Sequence, residues 1–322
     1  MEAIATKDQL IKILATAGFK PRKWCANNAQ LLQGLAPEDQ EVDLDVSSES
    51  HKTVKTLGLI WLPKSDQFSI KTNGPTNSKI TKRTVSSDLA HIFDPLGLMA
   101  PVVVKAKIFV QKLGQLKLSW DEALPAEMHT QWTHFHQSLC EVNNVKIPRH
   151  IFHHKQPRNT QIHVFTDASE RAYGAAIYIR SEMTDRTISV QLLCSKSRVA
   201  PLNAQTIPRL ELCAALLGAQ LVVKVRKDLE YEHPIYMWTD SEITFHWINS
   251  EPSTLQTFVA HRISKIQQLT LKEQWRHVNT KQNPADLLSR GVDPIYIQKN
   301  VMWFYGPLFL HGNQECWPQP FR

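Results

Sequence analysis

Four acidic residues, each inside a short motif that ends a strand or opens a helix, restrict this chain more than any other feature. They are Asp167 in FTDAS, Glu211 in PRLEL, Asp240 in WTDSE and Asp286 in NPADLLSRG. One at a time, each has an ordinary structural explanation. An Asp in TDAS can cap a turn. A Glu in the first turn of a helix gains about 0.3–1 kcal/mol from the helix dipole. Asp240 and Asp286 both stand where an N-cap is common. In order, on the elements around them, they imply one convergence point. Four carboxylates gathered there cannot all stay ionised without cations, so the pattern predicts a divalent-metal site.

Hydrophobic patterning supplies those elements. Residues 161–166, 173–180 and 189–195 read as a three-stranded meander. Residues 208–229 read as a long helix opened by Pro208, with Leu212, Leu216 and Val223 on its buried side. Residues 234–239 form a short apolar strand of the kind found inside a covered sheet. Helices over 241–249 and 255–269, a strand over 273–278 and a helix opening at 284–289 follow. This order describes an α/β domain with a mixed five-stranded sheet flanked by helices.

The residues ahead of it follow a different pattern. An amphipathic helix ends at Gly18 and Pro21, and a polar loop covers 37–52. TVKTLGLIWLP and QFSIKT, split by a Lys-Ser-Asp turn, predict a β-hairpin. Residues 82–118 read as helical with a break at Asp94-Pro95-Leu96-Gly97, and 125–142 as a second helix. Trp61, Trp120 and Trp132 fit core positions. The stretch 143–159 is the boundary candidate.

The net charge of +7 suits a polyanionic partner, the more so with a cluster of acids inside a basic chain. Five scattered cysteines lack zinc spacing. Cys194 and Cys213 lie in apolar runs as core thiols, and a reducing, intracellular setting fits, cytoplasmic or nuclear. The N-terminal residues lack a signal-peptide layout. The longest apolar stretch, 210–225, is interrupted by Glu211, Gln220 and Lys224, so no membrane span is expected.

Residues 161–291 resemble the type 1 ribonuclease H domain of long-terminal-repeat retrotransposons, on TDAS, RLEL, TDSE and PADLLSRG. The resemblance implies that Asp167, Glu211, Asp240 and Asp286 bind two Mg²⁺ ions, with Mn²⁺ as a substitute. It also implies that they cleave the RNA strand of an RNA–DNA hybrid, Asp167 bridging the ions, without a small-molecule cofactor. Cellular members carry a histidine in the loop before the last Asp. Here HVNTKQNPA precedes it, and His277 falls in a strand, which makes it structural.

AGFKPRKWCANN, KTLGLIWLPKSDQFSI, KRTVSSDLAHIFDPLGLMAPVVVKAKIFVQKL and KLSWDEALP resemble the tail of a Bel/Pao reverse transcriptase. On this resemblance, residues 1–150 are a primer-grip-like hairpin with a mostly helical thumb and connection, lacking the catalytic palm and with it polymerase activity. Residues 160–292 are then the nuclease, and 293–322 a tether toward an integrase, with those other polyprotein segments as partners. Expected nucleic-acid contacts are Ser169, Lys196 and Arg198 beside the site and Lys82 and Arg83 in the basic cluster ahead of it. A catalytically silent remnant, or a host-adopted nucleic-acid-binding protein, is the alternative. An intact acidic quartet favours the enzyme.

Overall fold

The computed structural model describes residues 2–40, 54–56, 59–72, 79–151, 157–230 and 232–318. Most of the polar loop expected over 37–52 lies outside them. Helix α1 (Glu2–Thr16) buries none of its side chains. Strands β1 (Val54–Thr56), β2 (Leu59–Leu62) and β3 (Gln67–Ile70) follow. Helices α2 (Lys82–Ala90), α3 (Ala100–Gln115) and α4 (Ala126–Ser138) come next, then β4 (Ile147–Pro148). The predicted hairpin is present as β2 and β3, but it belongs to a four-stranded sheet in the order β1-β2-β3-β4. The first apolar run splits into two strands, and β4 pairs through Gln67↔Pro148 and Phe68↔Ile147. A two-residue strand is too short to show any periodicity.

The larger sheet comprises β5 (Pro157–Ala168), β6 (Ala172–Met183) and β7 (Ile188–Val199), then β8 (Ile235–Thr239) and β9 (Trp275–His277). Its order is β7-β6-β5-β8-β9. The meander is antiparallel, while β8 runs parallel to both β5 and β9. This is the mixed five-stranded sheet that the patterning predicts. Helix α5 (Ile207–Asp228) crosses from β7 to β8. Helices α6 (Glu242–Asn249) and α7 (Thr257–Leu269) lie between β8 and β9.

One face of the sheet packs Ile162, Val164, Ile177 and Met237 against α5 and α7. The buried row of α5 is Leu212, Ala215, Ala219 and Val222, at helical spacing. Val223, expected to be buried, is 39% exposed, because Val222 occupies the inward position of that turn. Small residues on this row let α5 lie close to the strands. A Cβ on Gly218 would sit 2.6 Å from Thr166 Cγ2.

The other face packs Phe165, Tyr178 and Trp238 into one core with Leu98 and Met99 from the turn before α3 and Leu113 from α3. The expected helix break at 94–97 is the turn that docks that helix. Asp94 accepts the N–H groups of Leu98 and Met99 at 2.8 Å. Ser195 N donates to Leu96 O at 2.8 Å. Gly97 has φ +71°, and a Cβ there would fall 2.1 Å from Ser195 O, so this close approach requires glycine.

Helices α8 (Asp286–Arg290), α9 (Pro294–Ile297) and α10 (Val301–Tyr305) complete the α-helices among the described residues. The residues assigned to a tether lie against the same core, with Trp303, Leu310 and Trp317 buried. Trp303 Nε1 donates to Leu98 O and Tyr178 Oη to Trp303 O, at 2.8 and 2.7 Å.

Trp132 is a core residue, as expected, but Trp120 is 53% exposed. Lys82 and Arg83 lie over its ring. Trp61 is half-buried under the Arg149 guanidinium. Cys194 is buried and Cys213 half-buried. Burial pushes the Cys194 thiol up to about 12, which leaves it protonated and inert. No helix among the described residues is long and apolar enough to cross a membrane.

Candidate metal centre

Asp167 stands at the end of β5, Asp240 just after the parallel neighbour β8, and Glu211 on the helix covering that sheet end. In the two strand-end motifs a neighbouring serine does the local hydrogen bonding that could have occupied the acid. After β5, Ser169 Oγ accepts from the N–H groups of Arg171 and Ala172. After β8, Ser241 is the N-cap of α6 and accepts from Thr244 N. Glu211 lies beyond the first turn of α5, which begins one residue earlier than the sequence suggests. The dipole explanation for Glu211 therefore weakens. None of these three acids is a cap.

Their carboxylates converge instead. Ligand oxygens of Asp167, Glu211 and Asp240 all lie within 4.8 Å of one another. Asp167 and Glu211 are buried, at 4% and 7% exposure. One oxygen of each acid, Asp167 Oδ2, Glu211 Oε2 and Asp240 Oδ1, is buried with no hydrogen-bond partner. A buried carboxylate oxygen without a donor is costly, and three together are costlier still. Burial, then the charge of Asp240, pushes the Asp167 carboxyl up to about 7. Burial, then the charges of Asp167 and Asp240, pushes Glu211 up to about 9. An all-oxygen, mutually repelling, unpartnered set is the donor chemistry that a hard divalent cation satisfies.

Asp286 is near this group but not in it. Its charge is felt by both Asp167 and Glu211. Its Oδ1 is paired with Arg290 Nε, four residues along the same helix. The cap of α8 falls on Ala285, so Asp286 is not a cap either. The α8 loop is fixed to β5 by Asn283, whose Nδ2 donates to Thr166 O at 3.0 Å. His277 lies in β9, as expected, and its Nε2 faces the backbone carbonyl of Asp240 at 3.2 Å.

The expected nucleic-acid contacts separate into two groups. Lys196 and Arg198 are exposed on β7. They flank Ser197, which pairs with Gly174, itself the partner of Asp167. Ser169 turns inward and donates to Ser289 O at 2.6 Å. Arg83, by contrast, is engaged by Asp121 through two hydrogen bonds of 2.7 and 2.9 Å. Sequence reasoning overlooked Asn283, Ser289 and Arg290, although all three stand within the NPADLLSRG motif. The i,i+4 spacing of Asp286 and Arg290 was a legible signal of their pairing.

A family model for the Pao retrotransposon-like RNaseH-like domain matches residues 81–241. The chain belongs to this family. The match runs from the N-terminal helical layer through Asp240, and Asp286 lies beyond it. Among solved structures, the chain is similar to the N-terminal RNase H domain of a Mycobacterium tuberculosis protein, at 14% identity and a TM-score of 0.32. That likeness covers 44% of this chain and 97% of the other. A ribonuclease H from Halobacterium salinarum matches at 14% identity and a TM-score of 0.27, covering 41% and 94%. The prototype foamy virus protease–reverse transcriptase matches at 18% and 0.27, covering 42% of this chain and 21% of that one. No curated protein matches the chain.

Proposed function

We propose that this protein is a metal-dependent endonuclease that hydrolyses the RNA strand of an RNA–DNA hybrid. The observation that carries this reading is the convergence of Asp167, Glu211 and Asp240 with three buried, unpartnered oxygens at one end of the sheet. These three would hold the cations, Mg²⁺ or in its place Mn²⁺, with Asp286 as the fourth donor from α8. Bound there, a pair of divalent cations supplies an activated water and neutralises the charge that develops on the leaving oxygen.

The remaining work belongs to the chain's own residues. Burial by α5 keeps water from screening the carboxylates. His277 and Asn283 fix the backbone at Asp240 and Thr166. Lys196 and Arg198 present cations to the hybrid backbone from the neighbouring edge strand. In this reading residues 160–292 are the nuclease, and residues 1–150 correspond to the thumb and connection of a reverse transcriptase.

The test is a labelled hybrid incubated with Mg²⁺ and either the wild-type protein or Asp240→Asn. Cleavage by the wild type alone supports the reading. No cleavage by either protein sinks it, and equal cleavage by both points to a contaminating nuclease.

A further inference from the structure

A cleft of about 510 Å³ opens between α3, α4, the turn after β5 and the end of α8. Its floor is apolar and partly aromatic, with Ile108, Phe109 and Trp132. Phe109 is half-buried and stacked on Trp132, with ring centroids 5.1 Å apart. Its rim is cationic, formed by Lys105, Lys112, Arg171 and Arg290. Lys105 is paired with Asp293 at 2.6 Å, and Arg290 with Asp286. Lys112 and Arg171 are exposed and have no ion-pair partner among the described residues. Four cations therefore line the cleft with one carboxylate, Asp293, and the two cations without ion-pair partners share that lining with the aromatic floor.

The cleft lies beside the metal centre. Arg290 lines it, and its charge also reaches Asp167. Arg171 follows Ser169 in the turn that Ser289 anchors. One wall comes from the helices ahead of the sheet and the other from the nuclease motifs. A groove of this volume is within the range of pockets that enclose a small ligand, so it admits a nucleotide or two and not a duplex. A cationic rim over an aromatic surface is the chemistry that holds single-stranded nucleic acid, with phosphates on the cations and a base on the ring.

We propose that this cleft binds a single-stranded segment running off the end of the duplex presented to the metal centre. Lys112 and Arg171 hold its phosphates, and Phe109 receives a base. The proposal rests on the nuclease reading, because that reading places a duplex at the neighbouring carboxylates.

The experiment measures fluorescence anisotropy in EDTA, where the probe stays intact. It compares a blunt RNA–DNA hybrid with the same hybrid carrying a short single-stranded extension. The extension should tighten binding by the wild type about tenfold, the scale of one stacked base with its phosphate contacts. The double variant Lys112→Ala/Arg171→Ala should lose that gain while binding the blunt hybrid nearly as well. Phe109→Leu should lose part of it, and the surface double variant stands as the test if Phe109→Leu folds poorly. An extension that adds nothing in the wild type, or a gain that survives in the double variant, overturns the proposal. Cleavage of the blunt hybrid is scored separately. If cleavage fails while the extension effect stands, the nuclease reading falls and the cleft remains.

Discussion

Strand β5 carries two buried polar clusters four residues apart, and they differ in a way that separates structure from function. His163 is fully buried, and its Nδ1 accepts from Trp238 Nε1 at 3.1 Å. Its Nε2 faces Gln161 Oε1, which also accepts from Arg180 at 3.2 Å. The Arg180 guanidinium in turn donates to Leu310 O and Gly312 O, at 2.8 and 2.9 Å. Each polar group in this network has a partner of opposite character. Asp167 and Glu211 are buried and Asp240 half-buried, with partners of like charge and one bare, buried oxygen on each. Burial that is satisfied from within the chain holds the fold together. Burial that repels itself is completed by something from outside.

The largest expected effect tests that distinction directly. Asp240→Asn should abolish hybrid cleavage and weaken Mn²⁺ binding in a titration, while the metal-free protein melts a few degrees higher because a repulsion has been relieved. A lower melting temperature would mean that the acids already stabilise the fold without cations, and the comparison would fail. Arg180→Met should do the opposite. It leaves two carbonyl acceptors, Leu310 O and Gly312 O, bare at about 1–3 kcal/mol each if they stay dry, and frees the segment around Leu310 from β6. Urea denaturation followed by Trp fluorescence should show that loss, with Mn²⁺ affinity unchanged.

Next in size is the pH dependence, where the two clusters have opposite signs. The Asp167 and Glu211 carboxyls are raised to about 7 and about 9, from 3.8 and 4.5. The folded state therefore keeps protons that the unfolded chain releases, and metal-free stability declines as pH rises through this range. Burial lowers His163 well below 6.5. The unfolded chain takes up that proton first, so the His163 contribution is lost as pH falls below about 6.5. Asp94, raised by burial to about 6, has the sign of the carboxylate cluster but acts only below that pH. Between about pH 7 and 9 the decline belongs to the metal centre, and saturating Mg²⁺ should flatten it. A slope unchanged by Mg²⁺ in thermal melts would place the cation elsewhere.

The fold and the three convergent acids were legible because they rest on local chemistry. Short apolar strands, a proline-led helix with an acid near its start and an acid at the end of each of two strands are written within short windows. What stayed hidden depends on distant contacts. Val222 or Val223 could face the core until the Ala215–Ala219 row set the rotation of α5. Trp120 resembles a core residue until Lys82 and Arg83 are seen over its ring. The strand β4 exists only because β3 offers it an edge. The burial of Trp303 and Trp317 depends on the second face of a sheet whose first strand begins at Pro157.

Asp286 gives the smallest effect and the finest division between the two kinds of burial. It is the quartet member with a partner of opposite charge, Arg290, and so combines features of both clusters. The pair is partly exposed, with side-chain exposures of 27% and 67%, and an i,i+4 pair of this kind stabilises a helix by only about 0.2–0.5 kcal/mol. Arg290→Gln should therefore leave the melting temperature almost unchanged. It removes the cation that competes for the Asp286 carboxylate, so Mn²⁺ should bind the free protein more tightly, by about 1.5- to twofold if the pair is worth what such pairs usually are. Asp286→Asn in the same background should erase that gain. If Arg290→Gln leaves Mn²⁺ affinity unchanged, Asp286 belongs with the satisfied cluster, and the metal centre consists of Asp167, Glu211 and Asp240 alone.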